Sequence, residues 1–287
     1  MMFCMTQTSP LVSAAWLLEN LNSLKLVDTR FALGKPDFGR EVYQSGHLPG
    51  AVFLDLERDL SSPVRDDRVG GRHPLPNPET LADKLSSLGI ADSSFVVAYD
   101  DPSSGQGFYA AHLWWLLRWL GHDAVAVLDG GLSAWLEAGG ILETASPLTT
   151  NATFIPRIRP EMVVSADQVA ARTSSAALLD SRAAPRYRGE VEPLDWKAGH
   201  IPGAVNMDWS NGLDSTGKFK ATLEQQERFS KLEETEVMVY CGSGVSAGAN
   251  MLALELAGVK NAKLYAGSWS DWVSDSSNPV AVGSEAG

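Results

Sequence analysis

Cysteine is scarce in this chain of 287 residues: Cys4 and Cys241 are the only two, at opposite ends of the sequence. That scarcity excludes a disulfide framework and suits a reducing compartment. Neither cysteine belongs to a zinc spacing, and no two of the five histidines stand in a metal-binding motif, so neither metal nor cofactor is expected. Basic residues are few, 23 against 35 acidic ones, and the net charge of −12 argues against non-specific nucleic-acid binding. An anionic ligand would need a local basic cluster. Long apolar runs are missing too. The most apolar one, residues 113–120, is too short to span a bilayer and reads as a buried helix. The first basic residue is Lys25, so the N-terminal stretch has the features of neither a secretory signal nor a transit peptide. The expected compartment is the cytoplasm, with no membrane partner.

What the chain does contain is a repeat. Leu26-Val27-Asp28-Thr29-Arg30 returns as Leu178-Leu179-Asp180-Ser181-Arg182, and Gly46-His47-Leu48-Pro49-Gly50-Ala51-Val52 returns as Gly199-His200-Ile201-Pro202-Gly203-Ala204-Val205. The run Phe95-Val96-Val97-Ala98-Tyr99 is answered by Val237-Met238-Val239-Tyr240. Residues 129–135 are echoed, one position out of step, by residues 266–272. Four blocks in the same order imply a tandem duplication. Each half alternates short β-rich runs with helical segments, the pattern of an α/β domain with a mainly parallel sheet flanked by helices. The expected division is a first domain over residues 1–145, a Pro-, Thr- and Asn-bearing linker over 146–162, and a second domain over 163–287.

The halves differ after their matched apolar strands. In the second, Tyr240 is followed by Cys241-Gly242-Ser243-Gly244-Val245-Ser246-Ala247-Gly248, then by a helical pattern over 249–258 that ends in a glycine cap. A thiol there faces the free amides of a helix N-terminus, which stabilise negative charge and favour a reactive thiolate. A cysteine phosphatase would use such a loop, but would close it with an arginine, and none stands before the helix. Residues 244–248 fit the G-x-S-x-G nucleophile elbow, yet that triad order needs a histidine later in the chain and none follows His200. A buried structural thiol is the plain alternative. The first half has Asp100-Asp101-Pro102 at the corresponding place, a carboxylate where the second half has a thiol.

The loop over residues 241–247, together with the repeat, resembles the two-domain sulfurtransferases of the rhodanese superfamily. The small, uncharged Gly242-Ser243-Gly244 is similar to the 3-mercaptopyruvate sulfurtransferase branch; Ser246 stands where threonine is usual. The resemblance implies a catalytically silent first domain and a persulfide on Cys241. An anionic donor, 3-mercaptopyruvate or else thiosulfate, would load it, and a thiol, a thioredoxin-like protein or cyanide would unload it. It implies that Gly242, Gly244, Val245 and Ser246 help hold the donor through the loop, with Arg186 on the donor's carboxylate and carbonyl. Arg188 and Arg182 are further candidates. Ion pairs with Glu190 and Glu192 are the competing reading of these arginines, and Arg182, mirrored by Arg30, resembles a fold element. A second family arginine follows a Glu-Pro pair; here Glu192-Pro193 is followed by Leu194, which leaves the choice of donor open. Ser243 is expected to work with His73 and Glu57 of the first domain, against the alternative that His73 merely serves a Pro-rich loop. His47 and His200, identical in the two halves, are expected to serve the fold. Trp269 and Trp272 either pack or line the pocket. A persulfide relay with little turnover on small molecules is the rival function.

Overall fold

The structure is a computed structural model that describes residues 9–102, 107–232 and 236–287; Cys4 and residues 103–106, just after Asp100 in the first half, lie outside the described residues. Two parallel sheets carry the two halves. The first comprises β1 (Leu11–Val12), β2 (Lys25–Asp28), β3 (Val52–Phe53), β4 (Val96–Tyr99) and β5 (Val125–Leu128), in the order β1-β5-β4-β2-β3. The second comprises β6 (Ala177–Asp180), β7 (Ala204–Asn206), β8 (Val237–Tyr240) and β9 (Ala262–Leu264), in the order β7-β6-β8-β9. Read from β5 or β9 inward the two orders coincide, and a parallel bridge from Val163 to Leu264 stands in the second half where β1 stands in the first. β4 and β8 are buried at every residue, which is why their sequences are continuous apolar runs rather than alternations.

The repeated sequence blocks are repeated structural devices. Arg30 pairs with Asp28 at 2.6 Å and donates to the Gly46 carbonyl at 2.7 Å; Arg182 pairs with Asp180 at 2.6 Å and donates to the Gly199 carbonyl at 2.6 Å. His47 stacks on Tyr43 with ring centroids 3.9 Å apart, and His200 stacks on Tyr187 at 3.8 Å. The tyrosine at each central strand end, Tyr99 or Tyr240, accepts the amide N–H of Leu48 or Ile201 at 3.1 Å. Both histidines are therefore fold elements, as their recurrence implies.

The halves meet through α4 (Tyr109–Trp119) and α9 (Ala247–Ala257), the helices that follow β4 and β8. Residues 113–119 of the most apolar run lie in α4, which is buried along its length except for Arg118. α9 ends at Gly258, whose φ of +88° closes it as the glycine in the sequence predicts. Gly248 makes the close approach possible: a Cβ there would stand 2.8 Å from the backbone of His112. One apolar core runs across the junction, from Val96 and Trp115 to Val239 and Leu252. Residues between the sheets track along the first half: Ala152 donates to the Ser86 carbonyl at 2.9 Å, Arg157 to Leu120 at 2.8 Å and Arg159 to Trp119 at 2.9 Å. Among the described residues no helix is long and apolar enough to cross a membrane.

Candidate active site

Cys241 follows β8 directly and is 1% exposed, at the floor of a cavity of about 280 Å³ between the halves. Its amide donates to Ser268 Oγ at 3.1 Å, while the Cys241 and Gly242 carbonyls each accept an amide at 3.0 Å, from Trp269 and Ser270. Ser268 holds this grip with a φ of +56°, an unusual backbone for serine, anchored by its hydroxyl on the Tyr265 carbonyl at 2.9 Å. Gly244 turns the loop with a φ of +82°, where any Cβ would strike the Ala266 carbonyl. Among the described residues, the amides of residues 242–246 have no hydrogen-bond acceptor, so the loop before α9 presents unpaired donors on the cysteine side of the helix. Gly242, Ser243, Val245 and Ser246 line the cavity with Cys241; Gly244 shapes the turn behind them.

The first half closes the cavity with Phe31, Leu33, Leu56, Phe108 and Tyr109 and sends one loop into it. Gly71, at a φ of +79°, lies against the Gly267 carbonyl, a fit that any side chain would spoil. Gly70 donates its amide to Asp271 Oδ1 at 2.7 Å and Arg72 its amide to Ser270 Oγ at 3.0 Å, which pins the loop to the second half. His73 Nδ1 then stands 2.8 Å from Ser243 Oγ. Burial, with the nearby Arg72 charge adding to it, pushes the His73 imidazolium down to about 4, so the ring is neutral near pH 7. Its Nε2 lies 3.9 Å from Glu57 Oε1. That separation is too long for a hydrogen bond; with its proton on Nε2 the ring would turn that proton toward the carboxylate and leave Nδ1 to accept from the serine hydroxyl. Asp55, two residues before Glu57, instead accepts the amides of Glu57 and Arg58 at 3.0 Å and shapes the turn.

The arginines separate by place. Arg186 enters the cavity, held by Glu192 through Nη2 at 2.6 Å and Nε at 3.1 Å, with Nη1 left facing Gly242. Arg182, 2% exposed, is consumed by Asp180 and Gly199 and lies under Trp269 at 4.6 Å; the structure does not bring it to the cavity. Arg188 pairs with Glu190 at 2.7 Å and does not line the cavity either. For Arg182 and Arg188 the ion-pair reading describes their position. Trp269 and Trp272 pack, each donating its ring N–H to a carbonyl at 2.9 Å, from Lys197 and Pro279 respectively. Arg72 and Asp195, joined by an ion pair at the cavity, escaped the sequence reading. The signal available was the adjacency of Arg72 to His73 in Gly70-Gly71-Arg72-His73.

The matching place in the first half holds no thiol. Asp100 is 4% exposed and accepts the Ala110 amide, near the start of α4, at 3.0 Å. Burial raises its carboxyl to about 7, with amide bonds from Ala110 and Tyr109 opposing the rise. A larger groove of about 1120 Å³, lined by Arg118, Arg159 and Lys260 among others, contains neither histidine nor cysteine.

Comparison with known proteins agrees with this arrangement. The rhodanese-like domain family matches twice, over residues 13–138 and 165–275. A probable 3-mercaptopyruvate sulfurtransferase of Pseudomonas aeruginosa is 46% identical over 96% of this chain and 99% of its own. A putative thiosulfate sulfurtransferase of Mycobacterium tuberculosis is 39% identical over 94% of each chain. The crystal structure of the 3-mercaptopyruvate sulfurtransferase SseA from Escherichia coli superposes with a TM-score of 0.79 at 35% identity, over 91% of this chain and 99% of that one. Two matches to one domain family, on two sheets of the same strand order, make this chain a member of the rhodanese-like family built from two tandem domains.

Proposed function

We propose that the protein is a sulfurtransferase that moves a sulfane sulfur from 3-mercaptopyruvate through a persulfide on Cys241 to a thiol or to cyanide. The observation that carries the choice of donor is the 2.8 Å contact between Ser243 and neutral His73 beside the cysteine. A donor that departs as an enolate needs a proton; thiosulfate, departing as sulfite, does not. The Cys241 thiolate attacks the donor's sulfur, the S–S bond forms, and the C–S bond breaks with its electron pair staying on the enolate. The Ser243–His73 pair takes the donor's thiol proton and returns it to the enolate carbon, giving pyruvate. Glu57 orients the imidazole through its Nε2 side. Unpaired amides of the loop stabilise the anionic sulfur, and the free Nη1 of Arg186 faces the donor's oxygens. An acceptor thiolate or cyanide then attacks the outer sulfur and restores the Cys241 thiolate, with no external oxidant or reductant.

In this reading residues 1–145 form the silent domain, 146–162 the linker and 163–287 the catalytic domain, and the cytoplasm, where a thioredoxin-like acceptor is available, is the working compartment. The reduced protein is incubated separately with 3-mercaptopyruvate and with thiosulfate. Intact mass is read first, then thiocyanate release after cyanide is added. One added sulfur on Cys241 from mercaptopyruvate, with the faster turnover, is expected. Loading from thiosulfate alone would overturn the donor assignment, and a persulfide that forms but turns over slowly with either donor would favour a relay.

A further inference from the structure

The turn from Gly267 to Asp271 grips both parts of the site. On one side it holds the cysteine loop: Ser268 Oγ accepts the Cys241 amide at 3.1 Å, and the Trp269 and Ser270 amides reach the Cys241 and Gly242 carbonyls at 3.0 Å. On the other side it holds the first-domain loop that carries His73. Asp271 Oδ1 accepts the Gly70 amide at 2.7 Å, and Ser270 Oγ accepts the Arg72 amide at 3.0 Å. The second carboxylate oxygen, Oδ2, takes the hydroxyl of buried Tyr265 at 2.6 Å, which fixes the plane of the carboxylate. Gly267 leaves room for that carboxylate, because a Cβ there would strike the Asp271 side chain.

The corresponding turn of the first domain shows what the second has added. Residues 130–135 correspond, position by position, to residues 267–272, with Ser133 and Trp135 matching Ser270 and Trp272. Gly131 has a φ of +55° where Ser268 has +56°, and Leu132 donates to the Asp100 carbonyl at 2.9 Å as Trp269 does to Cys241. The backbone device is shared; the side chains are not. Glycine stands in place of Ser268, and Ala134 in place of Asp271. A left-handed backbone is easy for glycine and strained for serine, so strain is kept where the turn holds the cysteine.

We infer that Asp271 is the positioning residue of the proton relay: by holding the Gly70 amide it sets where His73 stands against Ser243. This rests on the reading of the site as a mercaptopyruvate sulfurtransferase centre. His73 follows Gly70 by three residues, and Gly71 between them fits closely against the Gly267 carbonyl, so the loop has one seat. Without the carboxylate the loop loses one of its two amide anchors, and the 2.8 Å contact between His73 Nδ1 and Ser243 Oγ loosens. Cys241 itself is held by Ser268 and Trp269, not by Asp271. The carboxylate therefore acts on one half-reaction. Loading from mercaptopyruvate needs the relay; unloading, in which cyanide bonds to the outer sulfur and Cys241 departs as the thiolate, needs no proton.

The test reads the two half-reactions separately. Single-turnover persulfide formation from 3-mercaptopyruvate, and thiocyanate release from the loaded protein, are measured for the wild type, Asp271→Ala, Asp271→Asn, His73→Ala and His73→Ala combined with Asp271→Ala. Asp271→Ala is expected to slow loading by about 10- to 100-fold and to leave unloading within about twofold. Asp271→Asn keeps an oxygen for the Gly70 amide and can donate to the Tyr265 hydroxyl, so loading should return to within about threefold of the wild type. In the His73→Ala background, Asp271→Ala should cost nothing further, because no imidazole is left to position. Equal losses in both half-reactions, additive losses in the pair, wild-type loading by Asp271→Ala, or no recovery in Asp271→Asn would overturn the assignment. Hydrogen exchange of the peptide carrying residues 69–73, read by mass spectrometry on the unloaded protein, separates this inference from the proposed function. Faster exchange there in Asp271→Ala, in a protein whose wild type takes no sulfur from mercaptopyruvate, would sink the function and keep the anchor of His73. Exchange unchanged from the wild type would sink the anchor, whatever the donor.

Discussion

The two domains hold their sheets with the same parts and use the ends of those sheets differently. Asp28, Arg30, Tyr43, His47 and Tyr99 do in the first what Asp180, Arg182, Tyr187, His200 and Tyr240 do in the second, with bond lengths that agree within about 0.1 Å across the pairs. At the strand ends the likeness stops. Both side chains are buried, but Cys241 lines the cavity beside a loop of unpaired amides, whereas Asp100 takes amides from the start of its own helix. Each domain thus places an acidic or nucleophilic side chain before a helix, and in the second domain that side chain lines the cavity between the halves. The domain without the nucleophile has not become inert. It supplies His73, Glu57 and Arg72 to its neighbour's site.

That comparison can be broken most sharply at the strand ends. Cys241→Ser should reduce sulfur transfer to background while the fold remains, and Asp100→Asn should leave transfer within about twofold, since the proposed mechanism puts the sulfur on Cys241 alone; thiocyanate release reads both. Comparable losses from the two changes would mean that the first domain takes part in the chemistry. The shared frame comes next. Arg30→Met and Arg182→Met each strand a buried aspartate, and each should cost about 3–5 kcal/mol in denaturant unfolding. A cost in one domain only would show that the devices look alike without carrying equal weight. Ser243→Ala should slow transfer from mercaptopyruvate by about 10²-fold and affect thiosulfate much less, because it removes a proton relay that only the enolate needs. Equal effects on both donors would detach Ser243 and His73 from the proton. The smallest effect concerns pH. Asp100 titrates at about 7 when folded, above its ordinary value of 3.8, so the native protein keeps a proton there that the unfolded chain releases. The stability tied to that proton is complete below about pH 4 and is lost as pH rises through about 7. Unfolding midpoints compared at pH 5 and pH 8 should therefore fall more in the wild type than in Asp100→Asn.

Much of this was legible before any coordinates. The repeat blocks identified the paired strands because a sheet buried on both faces demands unbroken apolar runs, and the histidines that recur in both halves proved to be stacking partners of tyrosines. Cys241, Ser243, His73, Glu57 and Arg186 do come together around one cavity, although their catalytic roles rest on the tests above. What sequence did not separate was one arginine from another. Arg182, Arg186 and Arg188 lie on one short helical turn and its approach, and only the direction of each side chain decides whether it meets Asp180, the cavity or Glu190. Arg72 escaped for the complementary reason. It reaches the cysteine loop only through the docking of Gly70 and Gly71 on residues about 200 positions later in the chain, and no local pattern encodes such a contact.

The burial of α4 has a consequence for how the protein comes into being. One side of that helix is covered by α9, which the ribosome makes long after α4 has emerged. A newborn first domain would therefore display apolar side chains of that helix to water until its sibling arrives. Separately expressed halves should be poorly soluble, and keeping both on one polypeptide spares the cell a hunt for the missing cover.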